Sequence, residues 1–566
     1  MFGNRNSVRG SLVPIVSSLA IASALATSAN AVEYQLGDVS VNVDSTLAAA
    51  FGVRTTSQDS RYIAASNGGT NTALGAENVD DGNLNFDRGD IYSASVRAIH
   101  DIEMSSGNIG AFVRFSYFYD AISANEGNTR RTELSDAARD EAGYGFDLLD
   151  AYVYGDFKVA DMPLSIRVGN QVVNWGEALL RQGGISQTNA LDVIKVVTPG
   201  AELREAYLPS PMIWANVGIT PAFSLEAYYQ VKWRESRLVP VGEFHSTEDI
   251  FGPGAQGFFL AGDPGGTGLP ASFLVSTPAG VRKIGDKTPD DQGQFGVAAR
   301  YYLEDYSTEL SLFYINYHSK LPYFAGDASL VPIGVFPFAE LVLDDYFAYF
   351  PEDIELYGAS ASFPVGIFAV GVEASYQPDF PVPLESGLTE AAAEAGALAF
   401  VPTFGSARNL GVVEMDKVNV IANAQVSLGS GTAFVGNAID FLGADSVDVV
   451  TEVGMVKFDG DAPAGTTGKT FAWGYNLDVS ATYSNAFGTD ITLTPGVSYS
   501  QDVRGSSLDK AATGNYAESR KGLTLKLNAS YDNDLTAGIS YTNNMGGVAA
   551  GDSDRDYITF TTTYSF

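Results

Sequence analysis

The sequence predicts an all-β transmembrane antiparallel barrel of about 18 strands, with 16 the alternative count. Three observations predict it: an aromatic-ended strand at the C-terminal end, a period of two recurring along the chain, and connections that are short and long by turns. In the last segment Ile558, Phe560, Tyr564 and Phe566 share one face of extended chain, while Thr559, Thr561, Thr563 and Ser565 share the other. Such a strand offers an oily side to lipid and a polar side to a wet interior. Bacterial outer-membrane proteins carry a terminal aromatic strand of this kind, so Phe566 is the expected signal to the barrel assembly machinery.

At the other end, Arg5 and Arg9 precede an apolar run from Leu12 to Leu25, and Ala29-Asn30-Ala31 offers small residues for cleavage. Residues 1–31 therefore read as a secretory signal peptide. The run falls short of the roughly 20 residues that a spanning helix needs, and no later segment supplies one. Lipid cannot satisfy an open strand edge, so strands that cross a membrane must close into a barrel. The expected location is the bacterial outer membrane, in contact with its lipid and lipopolysaccharide.

Composition agrees. The chain has 60 Gly, 29 Tyr and 33 Phe and no cysteine, which removes disulfides and thiol chemistry. The formal charge of −34 argues against nucleic acid and against a passive lure for anions. An acidic excess of this kind chiefly solvates loops.

The alternation starts with Val39, Val41, Val43, Leu47, Ala49 and Phe51 against Ser40, Asn42, Asp44 and Thr46. Further on, Phe223, Leu225, Ala227, Tyr229, Val231 and Trp233 oppose Ser224, Glu226, Tyr228, Gln230, Lys232 and Arg234. Near the end, Leu523, Leu525, Leu527, Ala529 and Tyr531 oppose Thr524, Lys526, Asn528, Ser530 and Asp532. A period of two marks strands with one apolar face. Short connections fall near Ser105-Gly107, Lys158-Pro163, Thr220-Ala222, Glu304-Tyr306, Pro364-Gly366, Asn485-Gly488 and Asp532-Asp534. Long ones, such as Arg54–Gly89, Ala121–Phe146, Asn174–Pro211 and Glu235–Gln292, lie between them. Short periplasmic turns and long external loops are the expected asymmetry. Gly429–Asp445 is too long for a tight turn, which leaves the count open by two. Strands fill residues 32–566 from about Val39 onward, so no N-terminal plug domain is expected.

Specificity belongs in the loops, because barrel walls are generic. In the segment 174–211, Asn174-Trp175-Gly176-Glu177 precedes Asp192 and Arg204-Glu205. Leu179, Leu180, Ile185, Leu191, Val193, Ile194, Val196 and Val197 in the same segment need cover. Folding into the lumen as a constriction would provide it, and so would packing over the rim as a lid. An inward fold requires partners for Glu177, Asp192, Arg204 and Glu205, the charges expected to fix the loop.

The stretch Leu321–Pro351 is unusually oily, with Tyr323, Phe324, Phe336, Phe338, Tyr346, Phe347, Tyr349 and Phe350. Together with Trp175 these aromatics form an expected apolar path for a ligand; an internal cluster that only stabilises the loop is the other reading. Asp81-Gly82-Asn83-Leu84-Asn85-Phe86-Asp87 places oxygen atoms as in the first half of a calcium loop. The twelfth position, however, is Tyr92, so the segment reads as the top of a strand with its polar side inward. No cofactor or metal is expected. His100, His245 and His318 are the only histidines, none stands in a nucleophile motif, and an enzyme is not expected.

Asp80-Asp81-Gly82-Asn83-Leu84-Asn85-Phe86 with Gly89-Asp90, Asn174-Trp175-Gly176-Glu177, Arg204-Glu205 and Gly252-Gly254 resemble the proteobacterial family catalogued as domain of unknown function 1302. The likeness runs over essentially the whole mature chain, with Ala178 where a small polar residue is expected. The resemblance implies an outer-membrane barrel that moves hydrophobic compounds or lipids across the envelope. It also implies a periplasmic partner and an inner-membrane exporter of the resistance-nodulation-division type. The leading expectation is thus a conduit for hydrophobic or amphipathic compounds. A diffusion porin for small polar solutes and a structural or adhesion barrel are the alternatives. Uninterrupted oily strand faces favour a monomer.

Overall fold

The computed structural model describes residues 32–73, 75–259, 262–277, 280–332, 339–384, 406–409, 411–463, 466, 468–532, 534–547 and 551–566. Eighteen antiparallel strands form a closed barrel. In chain order they are β1 (Val39–Arg54), β2 (Ile91–Ser106), β3 (Ile109–Asp120), β4 (Tyr144–Val159), β5 (Met162–Gln171) and β6 (Ser210–Thr220). Next come β7 (Phe223–Gln230), β8 (Phe295–Leu303), β9 (Thr308–Tyr317), β10 (Ile354–Val365), β11 (Phe368–Pro383) and β12 (Val412–Gly429). The last six are β13 (Ser446–Phe458), β14 (Phe471–Thr482), β15 (Ile491–Arg504), β16 (Lys521–Tyr531), β17 (Leu535–Met545) and β18 (Tyr557–Ser565). Each pairs with its neighbour in sequence, and β18 pairs with β1 to shut the ring. Phe566 completes that seam by exchanging backbone hydrogen bonds with Ser45, at 2.7 and 2.8 Å. A short strand, Val32–Leu36, folds back on β1 and adds no stave.

Alternation decides which side chains meet which medium. On β7, Leu225 and Tyr229 are exposed while Glu226, Tyr228 and Gln230 are buried. Exposed apolar side chains recur on the same outer face of other strands, among them Val297, Leu312, Val453, Leu525 and Ile539. A wall this oily on its outside would be costly in water and is stable in hydrocarbon. Among the described residues no helix is long and apolar enough to cross a membrane, which leaves the strands to do so. The protein is an outer-membrane barrel. The short connections and the Ser45–Phe566 contact lie at one end and the long loops at the other, which orients the loops outward.

Two expectations need correction. Gly429–Asp445 does not disturb the strand count: it is a turn at the short-connection end that contains a helix, Gly436–Leu442. The segment Asp81–Asp87 is not the top of a strand. Asp81–Leu84 is helical, and β2 starts only at Ile91, because Asp81, Asn83 and Asn85 bond to other loops and leave the sheet register. The oily loop Leu321–Pro351 contains strand: Tyr323–Pro332 and Ala339–Tyr349 pair with each other inside a separate five-stranded sheet.

Candidate functional site in the lumen

The segment between β5 and β6 runs across the inside of the barrel. Its backbone is held by two inward-facing wall carboxylates. Glu373 of β11 accepts the N–H groups of Glu177, of Ala178 at 3.2 Å and of Ile185 at 3.1 Å. Glu452 of β13 accepts those of Leu179 at 2.6 Å, Leu180 at 2.9 Å and Arg181 at 2.5 Å. Gly184, at φ +67°, lies so near Glu373 that an added Cβ would sit 1.9 Å from its Oε1, so only glycine fits there. Farther along, Arg204 donates to Asp101 of β2 at 2.7 Å and to Thr46 of β1 at 3.1 Å. Strands β1 and β10 stand half a circuit apart, and Ser360 of β10 donates to Glu177 at 3.3 Å. The segment therefore touches opposite walls.

Each charge expected to fix this segment has a partner. Glu205 pairs with Arg97 of β2 at 3.3 Å and shares a capping box with Glu202 over the helix Leu203–Ala206. Asp192 caps the helix Val193–Val197 through the Lys195 N–H at 3.0 Å and meets Arg237 at 3.1 Å. These contacts tie the segment to the wall at Arg97 and to an external loop at Arg237, since a buried charge left alone would cost several kcal/mol, roughly 3–5.

Trp175, at the start of the segment, is buried, its ring 5.0 Å from Tyr228 and 5.6 Å from Phe313. Its Nε1 donates to Glu226 at 2.7 Å, and Trp214 donates to the same oxygen at 2.6 Å. Arg300 approaches the other oxygen at 3.3 Å. Trp175 is thus a packing and anchoring residue.

The other aromatics named for a ligand path are placed elsewhere. Tyr323, Phe347 and Phe350 are buried, and Phe324 stacks on Tyr346 at 5.3 Å. Tyr346, Phe350 and Phe251 form one core against which Trp233, Phe258 and Phe324 pack. This arrangement matches the internal-cluster reading. Phe336 and Phe338 lie outside the described residues.

Above the lumenal segment lies a cavity of about 880 Å³. Leu180, Leu191, Val193 and Val197 of the segment line it, together with Leu238, Val239, Phe251 and Leu321 from the external loops. Its lining also includes the charged residues Arg181, Asp502, Arg520 and Arg555. Arg181 and Arg520 share Asp502, at 3.2 and 2.9 Å. Arg555 is buried, donates through Nη1 to the carbonyl of Phe244 at 2.8 Å and to that of Ser246, and has no partner at Nε or Nη2.

The loops over the cavity are knotted by buried polar groups. Arg54 donates to the carbonyls of Asn83 at 2.9 Å and Phe86 at 2.8 Å, and lies 3.5 Å from Asp554. Asp80, Asp81 and Asp263 converge closely enough to hold a cation. Arg131 fills that role, at 2.9 Å from Asp81 and 2.5 Å from Asp263. Burial raises the Asp80 carboxyl to about 6 and lowers the His245 imidazole to about 3.

Sequence reasoning missed Glu226, Glu373, Glu452 and Asp502, the wall acids that grip the segment. Their signal was present: each is a carboxylate at an inward position on a strand, where it needs a dedicated partner.

OccAB1 of Acinetobacter baumannii is similar at 9% identity over 93% of this chain and 96% of that one, with a TM-score of 0.41. OpdK of Pseudomonas aeruginosa is similar at 10% identity over 93% and 98%, with a TM-score of 0.39. Salmonella typhi OmpF, solved in complex with daunomycin, is similar at 9% identity over 94% and 100%, with a TM-score of 0.36. Likeness at this level says nothing of cargo. No curated protein matches the sequence. The model of the family described as "Protein of unknown function (DUF1302)" matches residues 12–566, and the chain belongs to that family.

Proposed function

We propose that this protein is a channel for hydrophobic or amphipathic, lipid-like compounds, working with a periplasmic partner and an inner-membrane exporter of the resistance-nodulation-division type. The cavity above the lumenal segment carries this reading. Aliphatic and aromatic side chains of the segment and of the external loops converge there, among them Leu191, Val193, Leu238 and Phe251, and an apolar ligand gains from such a surface at roughly 25 cal/mol per Å² buried. A segment bonded to opposite walls suits selection better than free diffusion.

A second reading, a diffusion porin for small polar solutes, draws on Arg181, Asp502 and Arg520 in the cavity wall. Reconstitution separates the two. The conduit transfers a fluorescent fatty-acid analogue between vesicles and passes little ionic current in planar bilayers. Large steady conductance with no transfer of the analogue would establish the porin instead.

A further inference from the structure

The helix Gly436–Leu442 breaks the rule of tight turns at the short-connection end, and it does so with an oily surface. Phe434 is 107% exposed and Phe441 90% exposed, and Val435 and Leu442 are exposed as well. In the next turn of the same rim, Phe487 is 90% exposed.

The register of β12 shows on which side of the wall the helix lies. Ile421 pairs across the ladder with Glu373, which faces the lumen. Odd positions of β12 therefore point inward and even ones outward. Val418, an outward residue, is 39% exposed. Val426 has the same parity, in an unbroken register with β13, yet it is only 9% exposed. Its inward neighbours Gln425 and Ser427 are exposed. Something covers Val426 from outside, and the helix packs on this strand with Ile439 at 3% exposure. Phe441, two residues from Ile439, stands about 200° around the helix, directly away from the wall.

From this we infer that the helix Gly436–Leu442 is an interfacial anchor, lying on the outer wall at the periplasmic rim with Phe434 and Phe441 among the phospholipids of the inner leaflet. The patch continues the lipid-facing band of β12 and β13 down past the last ladder bonds, and that continuity identifies its occupant. Aromatic rings favour the headgroup boundary, where a ring can be buried while the polar backbone stays wet. A short helix with one face against protein and the other in lipid also shields Val426 where the wall thins toward water. This inference is independent of any cargo.

The absence of cysteine makes the test clean. Single-cysteine variants F441C and F434C carry a nitroxide in the barrel reconstituted into phospholipid vesicles. Accessibility is measured to oxygen, which partitions into lipid, and to an aqueous nickel chelate. L312C on the lipid face and D305C in the water-exposed turn Glu304–Tyr306 serve as references. The expected ratio of oxygen to nickel accessibility at position 441 is several-fold above that at 305 and approaches that at 312. Nickel accessibility equal to that at 305 would overturn the anchor, and shielding from both reagents would replace it with a protein contact. Should F441C fail to assemble, F434C decides by the same criteria.

Discussion

Glu452 of β13 accepts the backbone N–H of Leu180 at 2.9 Å, so a wall carboxylate fixes the path of a chain segment in the middle of the lumen. With the neighbouring N–H groups of Leu179 and Arg181 it forms a three-donor cradle. Replacing it tests how far the segment controls passage. Hydrogen bonds to a charged acceptor contribute about 1.5–3 kcal/mol each, and Glu452→Ala removes the acceptor for all three. The expected outcome is a several-fold rise in single-channel conductance, while the barrel keeps its heat-modifiable migration on gels. Conductance unchanged from the parent would mean that Glu373 and Arg204 hold the segment unaided.

Trp175 and Glu177 secure the start of the same segment, through Glu226 and Ser360. The double variant W175A/E177A is expected to lose most transfer of a lipophilic probe while the folded barrel persists. Trp175→Phe keeps an aromatic ring of smaller size and gives up the bond to Glu226, so its loss should be smaller. Equal losses in the two variants would mean that an aromatic ring at position 175 and the Glu177 carboxylate do not suffice without the full indole and its bond to Glu226.

At the seam, Phe566 exchanges two backbone bonds with Ser45, and its ring lies 5.5 Å from that of Tyr564. Deleting Phe566 removes the final rung and the terminal aromatic together. Assembled protein in the outer membrane is expected to fall several-fold by quantitative blotting, with precursor accumulating in the periplasm. Normal levels would show that β18 is read without it.

Burial, with Asp120 nearby adding to it, raises the Glu243 carboxyl to about 8. For an acid raised on folding, the stabilising contribution is complete below its ordinary value of 4.5 and is lost as pH climbs through about 8. The external loops should therefore be cut faster by an added protease at pH 9 than at pH 6. In Glu243→Gln that difference should shrink, because the amide cannot ionise. A variant with the parent's full pH dependence would exclude Glu243 as the source.

Much of the barrel was legible because one-sided burial imprints a period of two on every spanning segment; Val39–Phe51 and Leu523–Tyr531 show it plainly. The loops were less so. Asp81-Gly82-Asn83 looked like strand or cation loop, because nothing local reveals that Arg131 and Asp554 arrive from 50 and 471 residues away. For the aromatics of Leu321–Pro351, sequence shows how much oil a loop carries and not that Phe251 and Phe258 pack against them. The charges of the lumenal segment were identifiable as needing partners, but which strands supply them depends on the closed ring. The helix at Gly436–Leu442 was visible only as a connection of the wrong length.

The hydroxyls of Thr46 and Ser565, 519 positions apart in the sequence, meet at 3.1 Å. Until those two ends join, β1 and β18 are both unpaired edges, able to template association with any other unfinished copy. Closing the ring thus removes from this molecule the two strand edges most open to mispairing.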